Sequence, residues 1–291
     1  MISVTTKMRV TGARLLYKLA RLGVGPEKKI ITRGGIKYEV DLAEGLDLSL
    51  FLFGSFQKHV TKNPWINLSD NATVIDVGAN FGVMTLQFAQ ACKQGKVFAF
   101  EPTDYALERL ERNLALNPSL AERIEVIHSF VSDKSEATPN LVAYASWRVD
   151  GLTTGREHPV HIGTPYSTPG VPSITLDEFV ISQNLARLDL IKIDVDGDEL
   201  LVLHGGRASV RQFRPVIIFE IGLYCMRERG IDFQDFEQFF ADLRYSLYDT
   251  KTNRSVSLNN YKSIIPAKAT TDLAAIPSEA LDQQLKESVD R

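Results

Sequence analysis

Five short apolar runs, separated by stretches with helical periodicity, constrain the fold of this 291-residue chain more than any other feature. Each run is apolar enough to form a strand that is buried on both faces. Helical patterns occupy the first, second and fourth connections between these runs, and in the second of them Leu107, Leu110 and Leu114 have helical spacing. This alternation predicts an α/β fold with an open, mostly parallel sheet and helices on both faces. The runs are residues 72–77, 96–100, 124–127, 188–193 and 215–221, and the predicted helices are residues 83–93, 105–116 and 199–210.

The residues at the carboxyl ends of these runs are the first candidates for a binding site, because open parallel sheets bind their ligands there. Four of these five residues are acidic: Asp76, Glu101, Asp194 and Glu220, with Ser129 as the fifth. Carboxylates are costly to gather in a crevice unless something positive or richly hydrogen-bonding meets them. The pattern therefore favours a ligand that carries positive charge.

The sharpest local signal is the segment 74–82, Val-Ile-Asp-Val-Gly-Ala-Asn-Phe-Gly, in which a strand runs into a glycine-bearing turn that opens a helix. A dinucleotide fingerprint would need its first glycine at position 76 or 77, where this chain has Asp76 and Val77. A carboxylate at Asp76 would also repel a pyrophosphate at the helix N-terminus. The turn therefore disfavours a phosphate-bearing ligand.

S-adenosylmethionine fits the same turn better, because it has no phosphate and carries a sulfonium and an ammonium group. In this hypothesis Gly78 and Gly82 let the backbone approach the ligand, and N–H groups at the helix start meet its carboxylate. Asp76 holds the ammonium directly or through water, and Glu101 accepts hydrogen bonds from the ribose hydroxyls. The predicted cofactor-binding residues are Asp76, Gly78, Ala79, Asn80, Gly82, Glu101, Pro102 and Ser129.

These motifs together resemble the FkbM family of S-adenosylmethionine-dependent methyltransferases. The resemblance covers roughly residues 46–221 and rests on five segments, of which the first alone indicates only a class I methyltransferase. It implies a seven-stranded Rossmann-like domain and O-methylation of a hydroxyl on a small molecule, sugar or natural product. The family pattern has Glu at position 196, where this chain has Asp196. The segments are 74–82, Phe-Glu-Pro at 100–102, Thr-Leu-Asp-Glu at 175–178, Ile-Asp-Val-Asp-Gly-Asp-Glu at 193–199 and Val-Ile-Ile-Phe-Glu at 216–220.

Methyl transfer needs an acceptor oxygen in line with the S–CH₃ bond and relieved of its proton. Asp194 and Glu220 end adjacent predicted strands, and they are the candidate catalytic residues. The same pair would also suit a divalent cation that acidifies the acceptor, but no third ligand is evident, so no metal site is assigned. His158 and His161 are weaker candidates for a base.

The acidic segment 194–199 does not match a calcium loop, because an EF-hand needs Gly at its sixth position and this chain has Glu199 there. We instead expect Asp196 to cap a helix and Glu199 to complete a capping box. Asp194, which ends the strand, remains the candidate for the methyl-transfer site.

The N-terminal segment has a strong excess of basic side chains. The first 33 residues hold eight basic side chains and one acidic one, while the remainder has a net charge of 25 − 35 = −10. Residues 8–22 have the spacing of an amphipathic helix, for which a docked helix with a solvated basic face is the favoured interpretation. Contact with a membrane surface or with an anionic substrate is the alternative. A β-hairpin with Gly34 and Gly35 at its turn is predicted next.

Three regions follow from these patterns: an accessory region at 1–63, a methyltransferase domain at 64–269 with a lid loop at 146–172, and a loosely held polar tail at 270–291. Two cysteines and the lack of an apolar stretch near 20 residues favour a cytoplasmic protein without a transmembrane segment. The overall charge of −3 argues against nucleic acid as a partner. A small-molecule or glycan acceptor is expected, and a homodimer stays open.

Two other functions compete with the methyltransferase hypothesis. An NAD-dependent dehydrogenase or epimerase would have a similar strand alternation, although the absent first glycine and Asp76 count against it. A non-catalytic protein that binds an adenosyl ligand would tolerate replacement of Asp194 and Glu220. The sequence alone does not exclude the second of these.

Overall fold

The computed structural model of the chain describes every element of the predicted sheet. It describes residues 12, 14–18, 28–54, 57–61, 63–137, 139, 142–145, 148–150, 155–158, 160, 163–166 and 168–281. The strands are β1 Lys28–Arg33, β2 Ile36–Asp41, β3 Thr73–Val77, β4 Lys96–Phe100, β5 Ile124–Ile127, β6 Phe130–Val131, β7 Ala143–Ala145, β8 Thr164–Tyr166, β9 Ser173–Ile174, β10 Leu190–Ile193, β11 Val216–Ile221, β12 Tyr245–Asp249, β13 Ser255–Val256 and β14 Thr271–Pro277.

Helices fill the connections between these strands. Apart from α1, which comprises residues 14–18, the helices are α2 Gly45–Phe53, α3 Lys58–Thr61, α4 Val83–Ala91, α5 Asp104–Ala115, α6 Pro118–Ala121, α7 Leu176–Ser182, α8 Glu199–Gly205, α9 Arg207–Phe213, α10 Leu223–Arg229, α11 Phe233–Asp242 and α12 Tyr261–Ile264. The predicted helix 199–210 is thus two helices. They are separated at Gly206, whose φ of −111° and ψ of 11° lie outside the α-helical range. The preceding Gly205 packs closely, since a Cβ there would lie 2.0 Å from the carbonyl oxygen of Ser132.

The central sheet has the order β13-β12-β14-β11-β10-β3-β4-β5. The five strands from β11 to β5 are parallel, whereas β14 is antiparallel to both of its neighbours, β11 and β12. This arrangement confirms the predicted α/β class with a mostly parallel sheet and helices on both faces. The described sheet has eight strands rather than seven, because the two-residue strand β13 extends its edge.

The last strand corrects the prediction of a loose tail from Thr270 onward. Residues 271–277 form β14, every residue of which is buried, in the middle of the sheet. The polar composition of 270–291 as a whole concealed a short apolar run, Leu-Ala-Ala-Ile, at 273–276. Such a run is long enough to be the core of a strand, because strands of about three to ten residues are usual. Residues 282–291 lie outside the described part.

The predicted N-terminal hairpin is present, with Arg33 paired to Ile36 across the Gly34-Gly35 turn. The edge of β2 is covered by Asn113 of α5 and by Asn117, the N-cap of α6, whose side-chain oxygens accept hydrogen bonds from the N–H groups of Glu39 and Lys37, respectively. Such cover prevents a free strand edge from pairing with another chain. Of the predicted helix at 8–22, only residues 12 and 14–18 are described, and these are helical.

The predicted lid loop, 146–172, is partly described and contains regular structure that the sequence did not indicate. Residues Thr164–Tyr166 form β8, which pairs with β7 as a small antiparallel sheet. A separate bridge joins Arg148 to Glu44, at the start of α2. The sequence did not indicate β8 because Pro165 lies within it, and proline disfavours strand formation. His161, one of the two weaker candidates for a base, lies outside the described residues.

No helix in the described portion is both long and apolar enough to cross a lipid bilayer.

Candidate functional site

A cavity of about 540 Å³ opens at the carboxyl ends of β3, β4, β10 and β11, within the range of 300–1,000 Å³ that is usual for ligand sites. The turn after β3 forms its floor, α2 forms one wall, and β7 and α10 form another. Most of the predicted site residues line this cavity: Gly78, Ala79, Asn80, Glu101, Pro102, Ser129, Asp194 and Glu220. The predicted residues Asp76 and Gly82 are not among the lining residues.

Asp76 lies beneath the cavity floor rather than on its surface. Its side chain is fully buried; Oδ2 accepts a hydrogen bond from Thr85 Oγ1 at 2.6 Å, and Oδ1 lies 3.3 Å from Lys192 Nζ. Asp76 therefore does not line the cavity, and the contact with a ligand ammonium, direct or through water, stays a prediction. The carboxylate neutralises Lys192 instead, since a buried charge needs an opposite charge close by.

Lys192 is the residue of this site that the sequence analysis missed. Its side chain is buried within β10, and Nζ donates a hydrogen bond to the carbonyl oxygen of Gly78 at 3.0 Å and lies 3.5 Å from Asp194 Oδ2. Burial alone would lower the pKa of the ammonium, but the carboxylates of Asp76 and Asp194 raise it above its usual value. A lysine inside an otherwise apolar strand, Leu-Ile-Lys-Ile, was the available signal.

The turn after β3 is held by its own hydrogen bonds. The N–H groups of Gly78 and Ala79 both donate to the carbonyl oxygen of Phe100, and that of Asn80 donates to Glu101 Oε2 at 2.9 Å. The N–H groups that a helix leaves without an intrahelical acceptor belong to the first turn of α4, which starts at Val83. Val83 and Met84 line the cavity, so a ligand carboxylate would meet this first turn.

The two glycines of the turn have different partners. Gly78 has a φ of +77°, and a Cβ there would lie 1.9 Å from the carbonyl oxygen of Asp194, so the turn touches the end of β10. Gly82 has a φ of +88°, and its Cβ would lie 2.3 Å from Leu110 Cδ1 in α5. The space beside Gly82 is thus filled by Leu110, and the role of Gly82 in letting the backbone approach a cofactor stays a prediction.

We expect Gly82→Ala to lower the free energy of unfolding by about 2–4 kcal/mol, because it combines a left-handed backbone with an overpacked contact to Leu110. Chemical denaturation checks this value. In a Leu110→Ala background the same substitution should cost only the backbone strain of about 1–2 kcal/mol. An equal cost in both backgrounds would contradict the packing explanation.

Glu101 is buried at the end of β4 and is held from two sides. Oε2 accepts a hydrogen bond from Asn80 N–H, and Oε1 accepts hydrogen bonds from Thr103 N–H at 2.9 Å and from Thr103 Oγ1 at 2.6 Å. Burial raises the pKa of this carboxyl, while those hydrogen bonds lower it. The same threonine is the N-cap of α5. The carboxylate is therefore fixed in position at the cavity wall.

Asp194 and Glu220, the two predicted catalytic residues, both reach the cavity. Burial raises the pKa of the Asp194 carboxyl against the opposing effect of Lys192. Burial also raises the pKa of Glu220 well above its usual value, and Asp194 adds to this increase. Glu220 Oε1 accepts a hydrogen bond from Thr270 Oγ1 at 2.6 Å, and Thr270 itself lines the cavity. The two groups thus behave as neighbouring carboxyls with increased proton affinity.

The loop between β10 and α8 differs from the predicted capping box. The N-cap of α8 is Asp198, and Asp196 instead has a left-handed φ of +55° and lines the cavity. Glu199 Oε1 accepts hydrogen bonds from the N–H groups of Val195 and Gly197, both at 3.1 Å. Glu199 thus reaches back from the helix start, as expected, but it supports the loop that presents Asp196.

Aromatic side chains form the wall on the other side of the cavity. Tyr144 of β7 and Tyr224 of α10 line it, and the ring of His158 lies between them with centroid distances of 5.7 and 5.8 Å. His158 Nε2 lies 3.0 Å from Glu228 Oε2. Within the described residues, no group of three or more His, Cys, Asp or Glu side chains is arranged to hold a metal ion.

Comparison with known proteins agrees with this geometry. The sequence profile of the methyltransferase FkbM domain matches residues 76–247, which is more than half of the chain. The chain belongs to the FkbM methyltransferase family. Membership confirms the resemblance found in the motifs and gives no support to the dehydrogenase alternative.

Two curated relatives of this FkbM protein are similarly distant. Methyltransferase sdnD of Sordaria araneosa is 28% identical over 170 residues, which are 48% of this chain and 62% of the relative. Hexuronic acid methyltransferase AglP of Haloferax volcanii is 28% identical over 185 residues, which are 62% of this chain and 65% of the relative. The match to each relative thus covers less than two thirds of that relative's length.

The comparison with solved structures includes a match to methyltransferase FkbM from Methylobacillus flagellatus. It is 17% identical, with a TM-score of 0.48, and the match covers 72% of this chain and 44% of that chain.

Proposed function

We propose that this protein transfers a methyl group from S-adenosylmethionine to a hydroxyl of a small molecule, sugar or natural product. The observation that carries the proposal is the charge of the cavity. Five carboxylates line it against one described basic side chain, that of Lys192: Glu101, Asp194, Asp196, Asp198 and Glu220. Since S-adenosylmethionine brings a sulfonium and an ammonium group, it would reduce the repulsion among these carboxylates.

The residues present fit this cofactor in three further respects. The first turn of α4 offers N–H groups for its carboxylate. Glu101 is held rigidly at the end of β4, where acidic residues of related sheets bind ribose hydroxyls. Gln57 Oε1 is buried at the cavity wall without a described hydrogen-bond partner, which leaves one acceptor for a ligand donor.

The cofactor supplies an electrophilic methyl group, and the protein has to place and deprotonate the acceptor hydroxyl. Asp194 and Glu220 are suited to accept that proton, because a carboxyl with a raised pKa is a stronger base than an exposed one. Lys192 fixes one oxygen of Asp194, and Thr270 fixes one oxygen of Glu220. The free oxygens of the two carboxylates are therefore the candidate proton acceptors.

The charge of the cavity also favours a neutral acceptor. One relative is named for hexuronic acid, whose carboxylate would need a basic partner. Lys192 is the single basic side chain among the described lining residues, and it is already paired with Asp76 and Asp194. The rings of Tyr144 and Tyr224 suit the apolar face of a sugar or polycyclic acceptor. We therefore favour a neutral hydroxyl compound.

Isothermal titration tests the cofactor assignment. We expect the protein to bind S-adenosylmethionine and not NAD, and we expect Glu101→Gln to weaken this binding by about 10- to 100-fold, since charge-assisted hydrogen bonds contribute about 1.5–3 kcal/mol. Glu125→Gln is the matched control, because Glu125 lies on the adjacent strand β5 and pairs with Lys96 outside the cavity. Binding of NAD alone, or equal binding by both variants, would refute the assignment.

A further inference from the structure

Exposed apolar side chains concentrate in one part of the described chain. Among eight large apolar residues that are exposed there, five lie between positions 15 and 53, and Phe53 is the most exposed of these at 66%. Clustered apolar surface with a polar rim marks an interaction site more often than single exposed residues do. We call α1, β1 and the last residues of α2 the N-terminal face. Its exposed apolar residues are Leu15, Leu16, Ile30, Leu52 and Phe53.

These three elements are packed together. Arg33 of β1 donates hydrogen bonds to the carbonyl oxygens of Leu50 and Phe51 in α2, and Lys29 Nζ lies 5.3 Å from the centroid of the Phe51 ring. Tyr17 of α1 belongs to the same buried cluster as Leu50. The three elements that form the N-terminal face therefore pack around one buried cluster.

The N-terminal segment that contains α1 and β1 has a net positive charge in sequence. Eight basic side chains and one acidic side chain fall within the first 33 residues, while the rest of the chain has a net charge of −10. Arg14, Lys18 and Lys28 are exposed beside the apolar residues. Apolar residues interspersed with lysine and arginine are typical of segments that lie in the interface of an anionic bilayer.

We propose that the N-terminal face docks on the surface of an anionic lipid bilayer. A symmetric contact with a second copy would bring two strongly basic surfaces together, which repulsion opposes. Nucleic acid would attract the basic side chains but would leave Leu52 and Phe53 exposed to water. A bilayer interface accommodates both, because headgroups meet the basic side chains while apolar side chains enter the acyl boundary.

The position of α2 relates this surface to the methyltransferase cavity. Gly45, Leu46 and Ser49 of α2 line the cavity, whereas Leu52 and Phe53 at its other end belong to the N-terminal face. The helix has nine residues, which corresponds to a length of about 13 Å. Docking would thus hold the cavity within about one helix length of the bilayer.

Co-sedimentation of the full chain with vesicles tests the proposal. We expect binding to vesicles of phosphatidylglycerol and phosphatidylcholine, and none to phosphatidylcholine alone. Lys28→Ala with Lys29→Ala should weaken binding by on the order of 20-fold, since each basic residue near the surface contributes about 1 kcal/mol. Phe53→Ser should weaken it by about tenfold or more, because the ring loses its apolar environment. Circular dichroism checks that each variant is folded.

Matched controls separate docking from general charge effects. Lys134→Ala with Lys262→Ala removes the same charge from exposed positions outside the face, and Ile181→Ser removes a more exposed apolar side chain from α7. Both controls should bind vesicles as the unaltered protein does. Equal binding by Phe53→Ser, preferred binding of tRNA over vesicles, or burial of the face in a dimer detected by sedimentation velocity would each overturn the proposal. S-adenosylmethionine binding is independent of all these outcomes.

Discussion

Replacing Lys192 with methionine should destabilise the protein by about 3–5 kcal/mol, because the substitution leaves buried carboxylates without their cation. Asp76 is fully buried and would keep only the hydrogen bond from Thr85. The cost should decrease as the pH falls, since burial raises the pKa of the Asp194 carboxyl and the loss of Lys192 removes the cation that opposes this shift. Urea denaturation at several pH values measures both the cost and its pH dependence.

An exposed lysine provides the control for this substitution. Lys96 pairs with Glu125 at 2.7 Å, but both side chains are well exposed, so Lys96→Met should cost about 1 kcal/mol or less. Adding Asp76→Asn to the Lys192→Met variant should recover part of the lost stability, because a neutral amide replaces the unpaired charge. If Lys192→Met were no more costly than Lys96→Met, Lys192 would not be the counter-ion on which this site depends.

Asp194→Asn should reduce the turnover number for methyl transfer by about 10²- to 10⁴-fold, the usual contribution of a positioned general base. The amide keeps the size of the side chain but cannot accept the acceptor proton. In the unaltered enzyme the rate should increase with pH through the raised pKa of Asp194, because the ionised form is the base. Radiolabelled S-adenosylmethionine with a panel of neutral sugars and hydroxylated natural products provides the assay.

Two further variants decide which carboxylate acts. Asp198 also lines the cavity, but it is paired with Arg229 at 2.8 Å, so Asp198→Asn should change turnover only a few-fold. Glu220→Gln should produce the large loss instead if Glu220 is the base. Affinity for S-adenosylmethionine, measured in parallel, should stay within a few-fold of the unaltered value in Asp194→Asn. Unchanged turnover in both Asp194→Asn and Glu220→Gln would eliminate proton abstraction by these residues.

The parallel half of the sheet was predictable from the sequence, because strands buried on both faces are continuous apolar runs. The boundaries predicted for β4 and β5 agree with the structure, and β3, β10 and β11 differ by one or two residues at their starts. The antiparallel strand β14 was missed because its apolar run is short and lies within a polar segment. Composition averaged over a long polar segment conceals a short apolar run within it.

The sequence predicted which residues lie at the candidate site, but not which of their side chains contact each other. Glu101, Asp194 and Glu220 were predicted to lie in the site because they follow the carboxyl ends of strands, and all three line the cavity. Sheet topology alone determines where these strand ends meet. It did not show that Asp76 points to Lys192, because the direction of a side chain depends on the register between β3 and β10. In that register Lys192 lies opposite Asp76. Which residues of two neighbouring strands lie side by side is a tertiary property, and Asp76 and Lys192 are 116 positions apart in the sequence (192 − 76).

The placement of β14 has a consequence for how the chain acquires its structure. This strand, which follows all the other described strands in sequence, separates β11 from β12, and Thr270 at its start holds Glu220. A nascent or shortened chain that ends before residue 271 would therefore leave β11 with an open, apolar edge, and such edges recruit other chains. Aggregation during synthesis and loss of the contact between Thr270 and Glu220 should thus both result from the absence of β14. Both should cease once the seven residues of β14 pair with β11 and β12.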